Sequence, residues 1–432
     1  MGLLSALITG NNGNEIFRSL KYRNFRLFFI GQSLSLIGTW MQRLAMSWLV
    51  YRTTHSAVML GVVAFVGQIP SILLTPAAGV AADRYNKHKM LVITQILAMI
   101  QAVILTAAVL TNTASISHLI ILSIILGVVD AFDMPIRQAF VMEMIEKKHD
   151  IGNAVALNSS MVNIAKLVGP SVAGIIIAAV GEGMCFALNA VSYMVVIGTL
   201  LMMKINTTEV KAVHLKVWHQ LVEGFKYTFG FPPVKNLIAL LALVSLMGMP
   251  YMVVLPVFAK DILHGGAQML GLLTGASGIG ALAGAVFLAT RKTVLGLGKV
   301  IVVSVALFGA ALICFALSET VWLSIVFMFL AGLGTMVQMA ACNTILQTMV
   351  EDNMRGRVMS FYTMAFTGTM PFGSLIAGVL VEKIGAADTL IIGGSFCITG
   401  AIIFYRKLPA LKKLVHPIYV QKGIIPSPPP MQ

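Results

Sequence analysis

Apolar runs of about 20 residues recur along nearly all of the 432-residue chain, each long enough to cross a hydrocarbon core as a single helix. Inside a bilayer the backbone has no water to bond. A spanning run must therefore satisfy its own N–H and C=O groups, and a helix does so within one segment. Only 11% of the residues are charged against 58% hydrophobic, too little charge for the surface of a soluble protein this long. The expected fold is all-α and integral to the membrane, with 12 transmembrane helices. Residues Met1–Asn14 lack the basic start and apolar stretch of a cleaved leader, so the first run is read as a retained span. Cys185, Cys314, Cys342 and Cys397 lie far apart inside apolar runs and read as small core residues, neither disulfides nor metal ligands. No nucleophile–base pair, metal-ligand spacing or phosphate loop is evident, so neither an enzyme nor a cofactor is expected.

The formal net charge of +14 raises the question of nucleic acid, and its distribution answers it. Arg43, Arg137 and Lys166 lie within spans, and only Arg52, Lys260 and Lys383 fall on one side of the membrane. Every other Lys and Arg falls on the side that carries both termini. That bias places both termini in the cytoplasm and makes the charge a matter of topology and lipid attraction. No nucleic-acid partner is expected.

Between the second and third spans stands Gly79-Val80-Ala81-Ala82-Asp83-Arg84-Tyr85-Asn86-Lys87-His88-Lys89. A glycine, an acid–base pair and a basic cluster in so short a loop suit a latch between helices that separate and re-dock. Gly79 is expected to allow close helix approach. Along the first span Gln32, Ser35, Thr39 and Gln42 share one face, with Arg43 adjacent. They are candidates to line a cavity, with plain helix–helix hydrogen bonding as the alternative.

The fourth span carries Asp130, Asp133 and Arg137 on one face, with Asp133 and Arg137 an i,i+4 pair. An uncompensated charge at mid-span costs about 2.5–3.5 kcal/mol on insertion scales, so Asp130 is a candidate proton carrier and Asp133 a second. A structural ion pair is the alternative for Asp133 and Arg137. Lys166, midway along the fifth span, is the expected counter-ion of Asp130, from depth alone. Close by, Ala165, Gly169, Pro170, Ala173 and Gly174 make a small-residue and proline motif suited to tight helix contact. In the second half Met249, Gln338 and Asn343 are cavity candidates.

The division expected is a six-helix half over residues 1–203, a cytoplasmic linker over 204–235, a second half over 236–406 and a basic, Pro-rich tail over 407–432. The linker holds an amphipathic surface helix with Trp218, Leu221, Val222, Phe225 and Phe229 on its apolar face. The tail is expected to be disordered. Gly169, Gly174 and Gly181 recur as Gly373, Gly378 and Gly385 at a constant offset, so helices 4–6 have copies in helices 10–12, which supports a two-half reading.

The loop after the second span resembles the signature G-x-x-x-D-R-x-G-R-R/K of the major facilitator superfamily, with Gly79, Asp83, Arg84, Lys87 and His88 on its positions and Asn86, which tolerates a left-handed backbone, in place of its second glycine. The stretch from Ala165 to Gly174 resembles the antiporter motif of drug-exporting facilitators. With Asn24–Phe28, Gly38–Gln42 and Arg355–Met359, the chain is similar to the enterobactin-exporter-like and macrolide-efflux-like branch. The resemblance implies the major facilitator fold of two pseudo-symmetric six-helix halves and alternating access. It implies that Asp83 meets the N-terminal end of the eleventh helix. It also implies that Arg84 pairs with an acid ending the fourth span, for which Glu143 is the candidate.

The expected function is proton-coupled export of a bulky, partly apolar small molecule, such as a drug, macrolide or siderophore, from a bacterial inner membrane. Arg137, Lys166 and Arg43 would tune the proton carrier or bind anionic groups. The partners expected are the small molecule, protons and lipid, with the chain acting as a monomer. An uptake permease or lysophospholipid flippase is the alternative within transport, and a non-transporting sensor or scaffold the alternative outside it.

Overall fold

The computed structural model describes residues 17–204, 217–291 and 293–425, with the side chains of Pro76, Asp83 and residues 217–221 also outside the description. The described residues are helical almost throughout, with no strand among them. A 3-10 turn, Arg18–Lys21, leads into α1 (Arg23–Thr54), α2 (Ala57–Arg84), α3 (Lys87–Leu110), α4 (Ile116–Glu143), α5 (Ile151–Val180) and α6 (Glu182–Leu201). The short α7 (Val217–Gly230) follows, then α8 (Pro232–Leu243) and α9 (Tyr251–Val257). Next come α10 (Ala267–Ala289), α11 (Leu297–Ala316), α12 (Val321–Met349), α13 (Asp352–Thr367), α14 (Met370–Ile384) and α15 (Ala386–Gln421).

Eleven stretches are long and apolar enough to cross a membrane, some of them joined helices. α1 stands apart from these: its 32 residues suffice in length, but Gln32, Ser35, Thr39, Gln42 and Arg43 make it the more polar helix. Two π-helical turns, Val244–Gly248 and Phe258–Ile262, flank α9. Pro250 and Pro256 lack the N–H that a regular ladder needs, and the Met249 N–H reaches back to the Val244 carbonyl instead.

The chain forms two compact units. The first holds residues 1–55, 66–213 and 266–275; the second holds 56–65, 214–265 and 276–432. In the first, Phe25, Phe28, Phe140 and Ile136 are fully enclosed, and α1 packs on α5 and α6 while α3 packs on α4 and α6. In the second, α11 packs on α12 and α15, with Phe308 and Phe315 enclosed.

The repeated glycines do the same work in both units. A Cβ on Gly169 would stand 2.8 Å from the Ile37 carbonyl oxygen, and one on Gly373 would collide with that of Leu246. Gly174 meets Gly271 in the first unit as Gly378 meets Ala57 in the second. Gly181 and Gly385, at φ 85° and 90°, end α5 and α14 in a backbone region that favours glycine.

Two expectations change, for the tail and for Cys314. α15 continues as helix to Gln421, past Pro409 and Pro417, where a disordered tail was expected beyond Arg406. Its buried Phe404, Leu408, Leu411 and Tyr419 give it a packed stripe, and Lys422 donates to the carbonyls of Thr348 and Val350 at 2.8 and 3.1 Å. The Pro-rich end, residues 426–432, lies outside the described residues. Cys314 is exposed, whereas Cys185, Cys342 and Cys397 are buried. On α7 the side chains of Trp218 and Leu221 lie outside the description; Val222, Phe225 and Phe229 are exposed, and both phenylalanines approach Phe361.

Candidate functional site

Arg43, Asp130 and Lys166 gather in the first unit beside Trp40. α5 crosses α1 at Gly169, where an added Cβ would stand 2.7 Å from the Trp40 Cβ. That close approach brings Lys166, one turn before Gly169, over the indole, with its Nζ 5.4 Å from the ring centre. The Arg43 guanidinium lies 4.9 Å from the same ring centre, and its Nη2 pairs with Asp130 Oδ2 at 2.9 Å. Asp130 thus faces Arg43 of α1, not Lys166 as depth alone suggested. Both residues are near mid-span, but helix rotation turns Lys166 onto Trp40. Ala165 and Ala173 are fully buried and Pro170 lies within α5, so the small-residue motif is the contact face that sets this geometry.

Asp133 is buried. It accepts from Thr94 Oγ1 at 3.0 Å and Gln95 Nε2 at 2.7 Å, with Arg137 Nε 3.7 Å from its other oxygen. This acid fastens α4 to α3. Gln32, Ser35 and Gln42 are also buried, so these three candidates for a cavity wall face protein. Gln42 donates to Gln101 at 2.9 Å and accepts from Asn189 at 2.8 Å, joining α1 to α3 and α6. Their shared face is the one α1 turns toward its neighbours, the alternative left open by spacing alone. Thr39 is half-buried and lies 3.2 Å from the Tyr193 hydroxyl. In the second unit Met249 and Gln338 are buried and Asn343 is half-buried. Both polar ends of the Gln338 amide lack a hydrogen-bond partner among the described residues.

At the cytoplasmic signature loop the partners differ from expectation. Lys87, not Arg84, pairs with Glu143, at 2.7 Å, because α3 starts beside the end of α4 while Arg84 is exposed. Asn86 has an extended backbone, at φ −65° and ψ 111°, and caps α3 by accepting from the Lys89 N–H at 3.0 Å. A Cβ on Gly79 would meet no described atom within 4 Å, so the close approach expected there is not made in this structure. The Asp83 side chain lies outside the described residues, which leaves its expected contact with the eleventh helix undescribed.

One charged centre escaped sequence reasoning. The Asp150 carboxylate, with 0% of its side chain exposed, pairs with Arg18 and Lys21 at 2.8 Å each and with His149 at 3.1 Å. It also accepts from the Tyr22 hydroxyl at 2.7 Å. The hydrogen bonds from Lys21 and Tyr22 hold its carboxyl down to about 2, from 3.8. The only signal was a lone acid ending the basic run Lys147-Lys148-His149.

Comparison with known proteins agrees with this architecture. A family model described as transmembrane secretion effector matches residues 15–418. The staphyloferrin A transporter of Staphylococcus aureus is 28% identical over 399 residues, covering 90% of this chain and 97% of that protein. Macrolide efflux protein A of Streptococcus pyogenes is 22% identical, covering 89% and 96%. Among solved structures, the peptide transporter POT superposes with a TM-score of 0.73 at 10% identity, covering 90% of this chain and 95% of that one. That likeness is one of fold.

Proposed function

The chain belongs to the transmembrane secretion effectors of the major facilitator superfamily, and on that premise we propose that it is a proton-coupled exporter of a bulky, partly apolar small molecule. The chain is a multi-pass membrane transporter, not an enzyme. A bacterial inner membrane, cytoplasmic termini, protons as partner and action as a monomer belong to the proposal. The relatives support the outward direction, since two of them are named for efflux, of macrolides and of multiple drugs.

The observation that carries the coupling is the Arg43–Asp130 pair near mid-span. A proton arriving at Asp130 removes the charge that holds Arg43, so protonation and release of the guanidinium are one event. In the proposed cycle Asp130 takes its proton from outside and returns it to the cytoplasm, and the substrate leaves in the other half-cycle by alternating access. A moved unit charge also feels about 2.3 kcal/mol per 100 mV, so membrane potential adds to the drive. Asp133 takes a structural role in this reading, because two α3 donors and Arg137 already satisfy it.

The test is efflux in everted vesicles under an imposed pH gradient, with macrolides, siderophores and lipophilic cations as probes, for wild type and Asp130→Asn. The reading requires gradient-driven movement of at least one class in wild type and its loss in the variant. Gradient-driven movement that survives the substitution would remove Asp130 as carrier. Wild-type vesicles that move nothing under any gradient would favour a sensor.

A further inference from the structure

We infer that Lys166, held against Trp40, is an anion-binding subsite, and that the exported compound carries a negatively charged group that docks there; this rests on the export reading above. In the spans of the first unit Asp130 answers Arg43 and Asp133 answers Arg137. Lys166 has no carboxylate within ion-pair distance among the described residues; its ammonium lies over the Trp40 ring. An indole face attracts a cation through its quadrupole but carries no net charge, so the trio of Arg43, Asp130 and Lys166 keeps one positive charge unanswered.

Burial then says where that charge faces. Lys166 is exposed although it sits at the middle of α5, and Arg43 beside it keeps 46% of its side chain exposed. An ammonium at that depth against lipid tails is strongly unfavourable, so this face of α5 borders water. The helix confirms the polarity of the face. Ser159, Asn163 and Lys166 are spaced 4 and 3 apart and line one side, with Ser159 exposed and Asn163 half-buried. A polar stripe thus runs from Ser159, in the third turn of α5, to a cation that lacks its anion.

The chemistry of a fitting ligand follows. It offers a carboxylate or comparable anion to Lys166 and Arg43, and an apolar or aromatic body for the free part of the Trp40 ring. Aromatic surface and a charged anchor together are what such a half-buried indole recognises. The division of labour is economical: the substrate's charge neutralises Lys166 on the way out, and the proton rides on Asp130 on the way back.

The test measures binding, independently of flux. Fluorescence anisotropy of purified protein in detergent would compare carboxyfluorescein, an aromatic polycarboxylate, with rhodamine 123, a cation of similar size. Wild type is expected to bind carboxyfluorescein at least about tenfold more tightly than rhodamine 123. Lys166→Gln is expected to lose about tenfold or more for the anion alone, and Lys166→Arg to keep it. Equal affinity of wild type for the two dyes would overturn the inference, as would a folded Lys166→Gln protein that binds the anion as wild type does. The wild-type comparison decides even where the variant fails to fold. A negative result here leaves the efflux assay untouched, so the subsite and the exporter reading fail separately.

Discussion

Lys21 and Asp150 form an ion pair at 2.8 Å, although one precedes the first spanning helix and the other follows the fourth. With Arg18, Tyr22 and the Ser19 hydroxyl, which donates to the Asp150 carbonyl, the pair straps the entry of α1 to the start of α5. Removing one partner of an enclosed charge cluster leaves the others uncompensated. Asp150→Asn should therefore lower the thermal midpoint of the purified protein, and Asp150→Ala should lower it further. The sign of the pH dependence follows from a carboxyl held below its ordinary range. The contribution is complete at neutral pH and is lost as pH falls from 3.8 toward about 2, with unfolding followed at each pH.

Gly169 of the α5 motif and Gly79 of the signature loop predict opposite signs. An added methyl there collides with Trp40 and the Ile37 carbonyl, so Gly169→Ala should destabilise by about 1–3 kcal/mol. At Gly79 the same change meets open space, and alanine is the better helix former by about 1 kcal/mol. Gly79→Ala should thus leave stability unchanged or raise it. Denaturation of the two variants in one detergent checks both signs.

Lys87 and Glu143 make a pair that is open to water on the Glu143 side. Such pairs contribute about 0–1 kcal/mol, so Glu143→Gln should barely shift stability. Lys87→Glu should be rescued by adding Glu143→Lys, in stability and in efflux. Failure of the reversed pair to rescue efflux would show that Lys87 has a second partner during transport.

Gln338 is fully buried with neither end of its amide bonded among the described residues. An unsatisfied buried group is unfavourable by about 1–3 kcal/mol, so Gln338→Leu should raise the unfolding midpoint. A variant that is more stable but transports less would mark Gln338 as a residue retained for the substrate.

The i,i+4 spacing of Asp133 and Arg137 was legible because both belong to one helix, where geometry follows from residue number. The glycine repeat was legible for a similar reason: a missing side chain is visible in the chain itself, and both copies are close-approach points. The stripe Phe404, Leu408 and Leu411 has helical spacing too, but Arg406 and Lys407 within it give the segment the composition of a basic tail.

From the chain alone follow the membrane class, the helical form of each run and which residues share a face, since bilayer thickness and helix period act on local sequence. Partner choice across helices does not follow. Arg43 rather than Lys166 meets Asp130, Lys87 rather than Arg84 meets Glu143, and Asp150 gathers charges from a distant turn. These pairings depend on how each helix is rotated and how far it slides against its neighbour. A rotation of one residue turns a side chain by about 100°, and no local pattern encodes it. Only packing around points such as Gly169 sets that rotation, by allowing one crossing and excluding the rest.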